Sequence, residues 1–207
     1  NISTDGRTGS LEGVQARSNF NETAFFYPEL LTNADGDVII AFTIPEALTK
    51  WKVMGLATTK DLKFGQFEKT LVTQKDLMIV PNAPRFFREN DKITFTAKVS
   101  NLTEKEMTGN AQLFLFDAST EKPIDDLCKN TGGIKTFTAS KGQSAQVSWS
   151  IEIPEDVSAI KYKVAAKSGN FTDGEEMVIP VLNNRMLVTE TLPSPIRSHQ
   201  TKEFTFE

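Results

Sequence analysis

The single cysteine, Cys128, and the single histidine, His199, are the side chains of this 207-residue chain best suited to nucleophilic or metal chemistry. A reactive thiol needs a histidine, a cation or a helix N-terminus to lower its pKa. Lys129 follows Cys128, but His199 lies 71 positions away (199 − 128 = 71). Catalytic triads assemble in space, so spacing alone does not exclude one. Because residues 197–200 read as a polar turn, we interpret His199 as solvated and Cys128 as a loop or core thiol. A zinc site, which usually takes three or four N or S ligands, is not favoured.

A cluster of oxygen-bearing side chains at Asn33, Asp35 and Asp37 raises the question of calcium. An EF-hand loop requires glycine at its sixth position and glutamate at its twelfth. Here Gly36 is at position four, and Ile44 is at position twelve. Asp-Gly between two apolar runs is a strong hairpin signal, so the pattern predicts a turn and no metal site.

Paired carboxylates are the remaining candidates for acid–base chemistry. They occur at Asp125-Asp126, Glu155-Asp156 and Glu175-Glu176. Glycosidases need two carboxyl groups that face each other across a cleft, whereas these pairs flank turns or strand ends. We interpret them as solubilising charge. The sequence therefore predicts no catalytic residue, no enzyme activity and no cofactor.

Composition excludes several classes of function. The net charge of −4 and the pI of about 5.2 argue against a nucleic-acid or anionic-membrane binder, which would need a basic face. No apolar run approaches the roughly 18 residues of a membrane span, so we expect no direct membrane insertion. The 39% of hydrophobic residues is enough for a folded core.

Apolar residues alternate with polar ones in short runs that are separated by turn residues. The inward sets are Ile93, Phe95, Ala97 and Val99; Ala111, Leu113 and Leu115; Val147, Trp149, Ile151 and Ile153; Ile160, Tyr162, Val164 and Ala166; and Met177, Ile179 and Val181. A period of two with β-branched and aromatic residues indicates antiparallel strands. The nine prolines interrupt any long helix. We predict an all-β chain of tandem antiparallel β-sandwiches of immunoglobulin-like type.

Residues 19–53 predict three strands in succession. An apolar run at 24–31 meets the turn at 33–37, a β-branched run follows at 38–44 and stops at Pro45, and Trp51 opens a third segment.

An internal repeat indicates where the modules begin and end. Residues 44–49 match residues 153–158, and Arg88 matches Arg197, both at an offset of 109 (154 − 45 = 109 and 197 − 88 = 109). A spacing of this size suits one β-sandwich. We predict a flexible lead-in at 1–13, the C-terminal part of a sandwich at 14–75, a complete sandwich at 76–183 and the start of another β domain at 184–207.

Several motifs in this order resemble the alpha-2-macroglobulin family. They are Arg17, Asn19-Phe20-Asn21-Glu22-Thr23-Ala24-Phe25-Phe26, Asp35-Gly36, Ile44-Pro45, Leu48-Thr49, Trp51, Phe64-Gly65, Val80-Pro81, Pro84-Arg85-Phe86, Asp91 and Val99-Ser100-Asn101. The resemblance implies tandem macroglobulin-like domains in a bacterial protein. It also implies inhibition by trapping: a protease cuts an exposed bait segment, and the inhibitor then changes conformation and captures it.

The resemblance places residues 1–13 at the trailing edge of the bait, although a disordered chain end fits them equally well. Proteases cut extended chain that is not held by apolar contacts. We therefore expect a trypsin-like protease to cut Arg7 faster than Arg85 or Arg88.

The reactive thioester of the family is a Cys followed two residues later by Glu-Gln. Cys128 is followed by Lys129-Asn130-Thr131, so no thioester is assigned to this chain and we expect it beyond Glu207. The expected partners are proteases and neighbouring CUB and thioester domains, in a bacterial periplasm or cell envelope. A structural or adhesive module of a bacterial surface protein is the alternative that the sequence leaves open.

Overall fold

The computed structural model describes residues 10–131, 133–185, 188–189, 191, 198–199, 201 and 203. Within these residues the chain forms ten strands and no helix, which confirms the all-β fold class. No helix in this part of the chain is therefore long and apolar enough to cross a membrane. The strands are β1 (Lys50–Thr58), β2 (Phe64–Val72), β3 (Leu77–Pro81), β4 (Phe87–Arg88), β5 (Lys92–Asn101), β6 (Met107–Asp117), β7 (Ile134–Ala139), β8 (Ser144–Glu152), β9 (Ala159–Ser168) and β10 (Phe171–Leu182).

Strands β3 to β10 form a two-layer structure that we call the sandwich. One sheet has five strands in the order β4-β10-β9-β6-β7, and the other has three in the order β3-β5-β8. Strand β10 pairs in parallel with β4 over two residue pairs, and the other strand pairs of both sheets are antiparallel. In these two sheets only β9 and β10 are neighbours joined by a short connection. Residues 118–133 separate β6 from β7, and the other neighbouring strands are not consecutive in the chain.

The core of the sandwich lies between the two sheets and includes most of the residues that the period of two predicted, together with others that it did not, such as Leu77, Ile79 and Phe137. Trp149, Tyr162 and Phe95 are its largest fully buried side chains. The rings of Phe95 and Tyr162 meet at a centroid distance of 5.3 Å and an angle of 54°. Tilted pairs of this kind are favourable beyond the apolar area that they bury. The inward alternation is confirmed in β5, β6, β8 and β9, whereas Met177 in β10 is 45% exposed.

Strands β1 and β2 form a separate two-stranded antiparallel sheet. Trp51 lies in β1, as predicted, and its indole Nε1 donates to the Thr73 hydroxyl at 3.0 Å. The Phe67 ring packs directly over Gly55, so that a Cβ added at Gly55 would lie 2.2 Å from the ring. Large apolar side chains such as Leu56 and Phe64 remain 72% and 79% exposed.

The predicted turn at residues 33–37 is formed, but the strands predicted on either side of it are not. Asn33 N donates to Asp37 O at 2.8 Å, and Gly36 has the positive φ of 86° that the turn requires. Residues 24–31 and 38–44 have no strand hydrogen-bond ladder, although the rings of Phe25 and Phe42 lie 4.4 Å apart. The physical reason is exposure: Leu31 and Ile39 are 92% and 87% exposed, so packing does not fix a ladder.

The structure also differs from the prediction of a flexible lead-in at residues 1–13, because the last residues of this segment are held on the sandwich. Leu11 is only 4% exposed, because it packs on the sandwich together with Val14. Residues 1–9 and most of residues 184–207 lie outside the described residues.

Candidate functional site

Residues 10–20 run along the outside of the sandwich, and we call them the strap. Leu11 and Val14 pack against Ala165 and the partly buried Phe114, on the outer face of strands β6 and β9. Ala165 is fully buried only because the strap covers it, since the inward residues of β9 are its neighbours Val164 and Ala166. The first contact of the strap is therefore hydrophobic.

The backbone of Arg17 adds a short parallel bridge to β10. Arg17 N donates to Gly174 O at 2.8 Å, and Glu176 N donates to Arg17 O at 3.0 Å. At this position β10 pairs with β9 on one side, so Arg17 occupies its other edge. A Cβ on Gly174 would lie 3.3 Å from the Cα of Ala16, so glycine permits this close approach.

The side chain of Arg17 enters a buried group of charges that we call the Arg17 clamp. Its members are Arg17, Lys75, Asp173, Glu175 and the backbone of Ile79. Arg17 is 6% exposed and Asp173 is 0% exposed. Charged side chains are rarely this deeply buried unless they are paired.

Asp173 is the acceptor at the centre of the Arg17 clamp, and all four of its bonds come from the strap, from Lys75 or from β3. Its Oδ1 accepts from Arg17 Nε at 3.1 Å and from Lys75 Nζ at 2.8 Å. Its Oδ2 accepts from Arg17 Nη2 at 3.2 Å and from Ile79 N at 2.9 Å. Arg17 thus binds the carboxylate in a bidentate manner through Nε and Nη2, which gives a strong and directional pair.

Glu175 completes the Arg17 clamp on the side of the core. Its Oε2 accepts from Arg17 Nη2 at 3.3 Å, and its Oε1 accepts from the Tyr162 hydroxyl at 3.3 Å. Burial raises the pKa of the Glu175 carboxyl, against the opposing effect of the Arg17 charge. Burial and the nearby Glu175 charge raise the pKa of Tyr162. Tyr162 therefore stays a neutral donor.

The Arg17 clamp is electrically balanced, with two cations and two carboxylates. Removing one partner of a buried ion pair costs about 3–5 kcal/mol, because the other charge is left without compensation. Lys75 is partly exposed, so its bond to Asp173 is screened more than the bond from Arg17.

A second carboxylate ties the strap to the segment before β1. Glu46 accepts from the backbone N–H groups of Ser18 at 2.9 Å and Asn19 at 3.0 Å, and these two bonds lower the pKa of its carboxyl. Glu46 N donates in return to Asn19 O at 2.8 Å. The strap thus links the sandwich to the segment that leads into β1.

The structure places Cys128 in the core, as the sequence predicted, and makes it chemically inert. Cys128 is fully buried, and burial followed by the nearby Asp125 charge raises the pKa of its thiol to about 12. A nucleophilic cysteine would need the opposite shift.

The other predicted candidates do not come together with Cys128. His199 is an exposed turn residue with a φ of 61°, which confirms its interpretation. The Asn33 side chain accepts from the backbone of Asp35 and Asp37, which supports the turn rather than a calcium site. Within the described ranges no group of three or more His, Cys, Asp or Glu residues is placed to hold a metal ion. Arg7 lies outside the described residues.

The interpretation of Glu175 as solubilising charge is wrong, because it belongs to the Arg17 clamp. Sequence analysis also missed Asp173 and Lys75. The available signal was the acidic run of Asp173, Glu175 and Glu176 inside a strand-forming segment, where unpaired charges are disfavoured. Nothing in the sequence near β10 identifies Arg17, 156 residues earlier, as the partner.

Comparison with known proteins connects this architecture to a family. Residues 23–113 match the model of the alpha-2-macroglobulin family. An alpha-2-macroglobulin homolog of Nostoc sp. is 34% identical over 100 residues, or 48% of this chain. Over residues 23–113 the chain belongs to the alpha-2-macroglobulin family. The family resemblance of the motifs between Thr23 and Asn101 is confirmed.

Two further alpha-2-macroglobulins cover more of the chain. The protein of Thermotoga maritima is 25% identical over 168 residues, which are 81% of this chain and 10% of the relative. The Escherichia coli protein activated by porcine elastase matches 87% of this chain and 16% of its own, with a TM-score of 0.58 and 17% identity, so it shows a shared fold. The chain spans only 5% of the Nostoc relative.

Proposed function

We propose that this chain is a non-catalytic scaffold segment of a protease inhibitor that traps proteases after they cut a bait segment. The observation that carries the proposal is membership of the alpha-2-macroglobulin family. The shared fold with an Escherichia coli relative that porcine elastase activates supports it. Proteases are the partners, and they act on the full-length protein.

The geometry supports a scaffold more than a reactive role. Cys128 is buried with a raised pKa, and in the Arg17 clamp the charges of Arg17 and Lys75 are paired with that of Asp173. These side chains hold segments together, and none is poised for nucleophilic attack. The covalent chemistry of a thioester is assigned to other parts of the full-length protein.

The proposal includes an arrangement of domains. Residues 14–75 are the C-terminal part of one macroglobulin-like sandwich, and residues 76–183 are the next. The exposed apolar side chains of β1 and β2, such as Met54 and Leu56, support the first assignment, since a complete module would cover them. CUB and thioester domains follow, from residue 184 onward, and the protein works in a bacterial periplasm or cell envelope.

The trap is tested with the full-length protein and several unrelated proteases. A protease that is caught but not blocked keeps its activity toward small peptides and loses it toward large protein substrates. Unchanged activity toward both kinds of substrate rejects the proposal. The alternative, a structural or adhesive module of a surface protein, predicts that unchanged activity, and family membership does not favour it.

Arg7 tests the assignment of residues 1–13 to the end of the bait. Under limited trypsin digestion we expect cutting at Arg7 before Arg85 and Arg88, which are exposed but belong to the sandwich and its entry. Intact-mass measurement over time identifies the order. Equal rates at all three sites would contradict the assignment.

A further inference from the structure

The strap is held to the sandwich by two independent attachments. Leu11 and Val14 bury apolar surface on β6 and β9, and Arg17 contributes both its backbone and its side chain to β10. The two attachments lie within seven residues (17 − 10 = 7) of Ser10, the first described residue. Any chain that precedes the strap is therefore anchored to the sandwich within a few residues.

Departure of the strap would remove Arg17 from the fully buried Asp173. Lys75 would remain as a cation beside Asp173, but Glu175 would keep only the Tyr162 hydroxyl. Arg17 also satisfies Ile79 O at 3.1 Å, an acceptor that would then need water. The charge balance of the Arg17 clamp consequently opposes release of the strap.

We infer that the Arg17 clamp is a positioning device of the proposed trap: it keeps the strap on the sandwich after a protease cuts the chain before Ser10. The cut then frees the preceding chain only, and the new amino terminus stays on the strap, which links the sandwich to the segment that contains Glu46. This inference rests on the proposed function for its purpose. Its physical content, retention of the strap, is measured separately.

A thiol reporter in the strap measures retention. Val14→Cys places a small buried thiol in the strap, where Val14 is 8% exposed. The native Cys128 serves as an internal control, because it is fully buried and its pKa is raised to about 12. Modification of one thiol reports release of the strap, whereas modification of both reports unfolding of the sandwich.

The experiment compares the 207-residue chain carrying Val14→Cys before and after a single trypsin cut before Ser10, verified by intact mass. Reaction with a thiol-specific disulfide reagent is followed over time. We expect the cut to change the rate for the reporter by less than about twofold. With Arg17→Met added, the reporter in the cut chain should react at least about tenfold faster, because loss of a buried ion pair shifts an equilibrium by more than one decade.

Arg85→Met is the matched control, since it makes the same change at an exposed arginine of the sandwich entry. In the cut chain with Arg85→Met, the reporter should react at the same rate as in the cut chain with the native Arg17 clamp. Two outcomes overturn the inference: fast reaction after the cut with Arg17 present, or no acceleration by Arg17→Met. If Arg17→Met makes both thiols reactive, the test is repeated with the milder Arg17→Lys. The inference is then also overturned if the reporter in the cut Arg17→Lys chain reacts alone and no faster than in the cut chain with Arg17. Failure of the full-length protein to trap proteases leaves these rates unaffected, so the two proposals fail separately.

Discussion

Asn101 is a fully buried amide that organises the loop after β5. Its Nδ2 lies within hydrogen-bond distance of the carbonyl oxygens of Lys105, Ala139 and Ser140. Its Oδ1 accepts from both the backbone and the hydroxyl of Thr103. One side chain thus replaces the water that these buried groups would otherwise bind, which explains the value of asparagine at the end of this strand.

Asn101→Ala should lower the free energy of unfolding by about 2–4 kcal/mol, because it leaves several buried acceptors without a donor. Urea denaturation followed by tryptophan fluorescence measures the change. Asn170→Ala is the control, since Asn170 is exposed in the turn before β10 and should shift stability by less than about 0.5 kcal/mol. Equal effects of the two changes would contradict the role of Asn101.

The buried thiol of Cys128 should make the chain less stable at alkaline pH. Its pKa is raised from 9.0 to about 12 in the folded chain, so the folded state keeps the thiol proton when the unfolded state has lost it. The unfolded state then binds fewer protons, and stability falls as the pH rises above 9. Between pH 8 and pH 10 this thiol should lower the free energy of unfolding by about 1 kcal/mol, and Cys128→Ala should remove that decrease.

The check on Cys128 is the difference between the two chains at each pH, because every other ionisable group is common to both. Urea denaturation of the original chain and of Cys128→Ala at pH 8 and pH 10 gives four free energies of unfolding. A parallel decline of both chains would show that the thiol does not titrate as its burial requires.

At the scale of elements, strand β6 shows why the sheet tolerates only some residues. Gly109 pairs with Phe137 of β7, one residue before β6 begins to pair with β9. A Cβ at this position would lie 2.2 Å from the carbonyl oxygen of Lys167 and 2.8 Å from the Phe137 ring. The glycine lets neighbouring strand backbones approach more closely than a side chain allows.

Gly109→Ala should therefore lower the free energy of unfolding by at least about 2 kcal/mol, since the backbone of β9 has to move. Gly65→Ala is the matched control in β2, where an added Cβ meets nothing within 4 Å and φ is not positive. It should be neutral or stabilising by up to about 1 kcal/mol. Thermal unfolding of the two variants beside the original chain distinguishes them.

At the scale of the whole molecule, the sandwich and the β1–β2 hairpin differ in how much they bury. The sandwich has a continuous core of strands from two sheets, whereas no residue of β1 or β2 is fully buried. An isolated two-stranded hairpin is marginally stable in water. The hairpin should accordingly open far more often than the sandwich.

Hydrogen exchange followed by mass spectrometry tests this difference in the 207-residue chain. We expect amides of β5 and β9 to exchange at least about 100-fold more slowly than those of β1 and β2. Similar protection in both regions would indicate that the hairpin is stabilised by contacts beyond those described. The same measurement on longer chains of this protein should show added protection in β1 and β2 if preceding chain covers them.

Sequence by itself determined the strand content and the inward face of most sandwich strands, and it predicted a loop or core position for Cys128 and a solvated turn for His199. These follow from local rules, since alternation of apolar residues fixes which face of a strand is buried. It also determined the family, through motifs that are contiguous in the chain. The turn at residues 33–37 was predictable for the same reason, whereas its flanking strands were not, because a ladder requires a packing surface that residues 24–44 do not find in the described chain.

Only the tertiary structure decided the Arg17 clamp. Its members come from three distant parts of the chain, and Arg17 and Asp173 are 156 residues apart. The acidic run in β10 was a local signal, but it did not identify a partner, so Glu175 was misassigned as solvated charge. The strap covers β10 and excludes water from that edge, and this burial turns ordinary surface charges into a paired and balanced cluster.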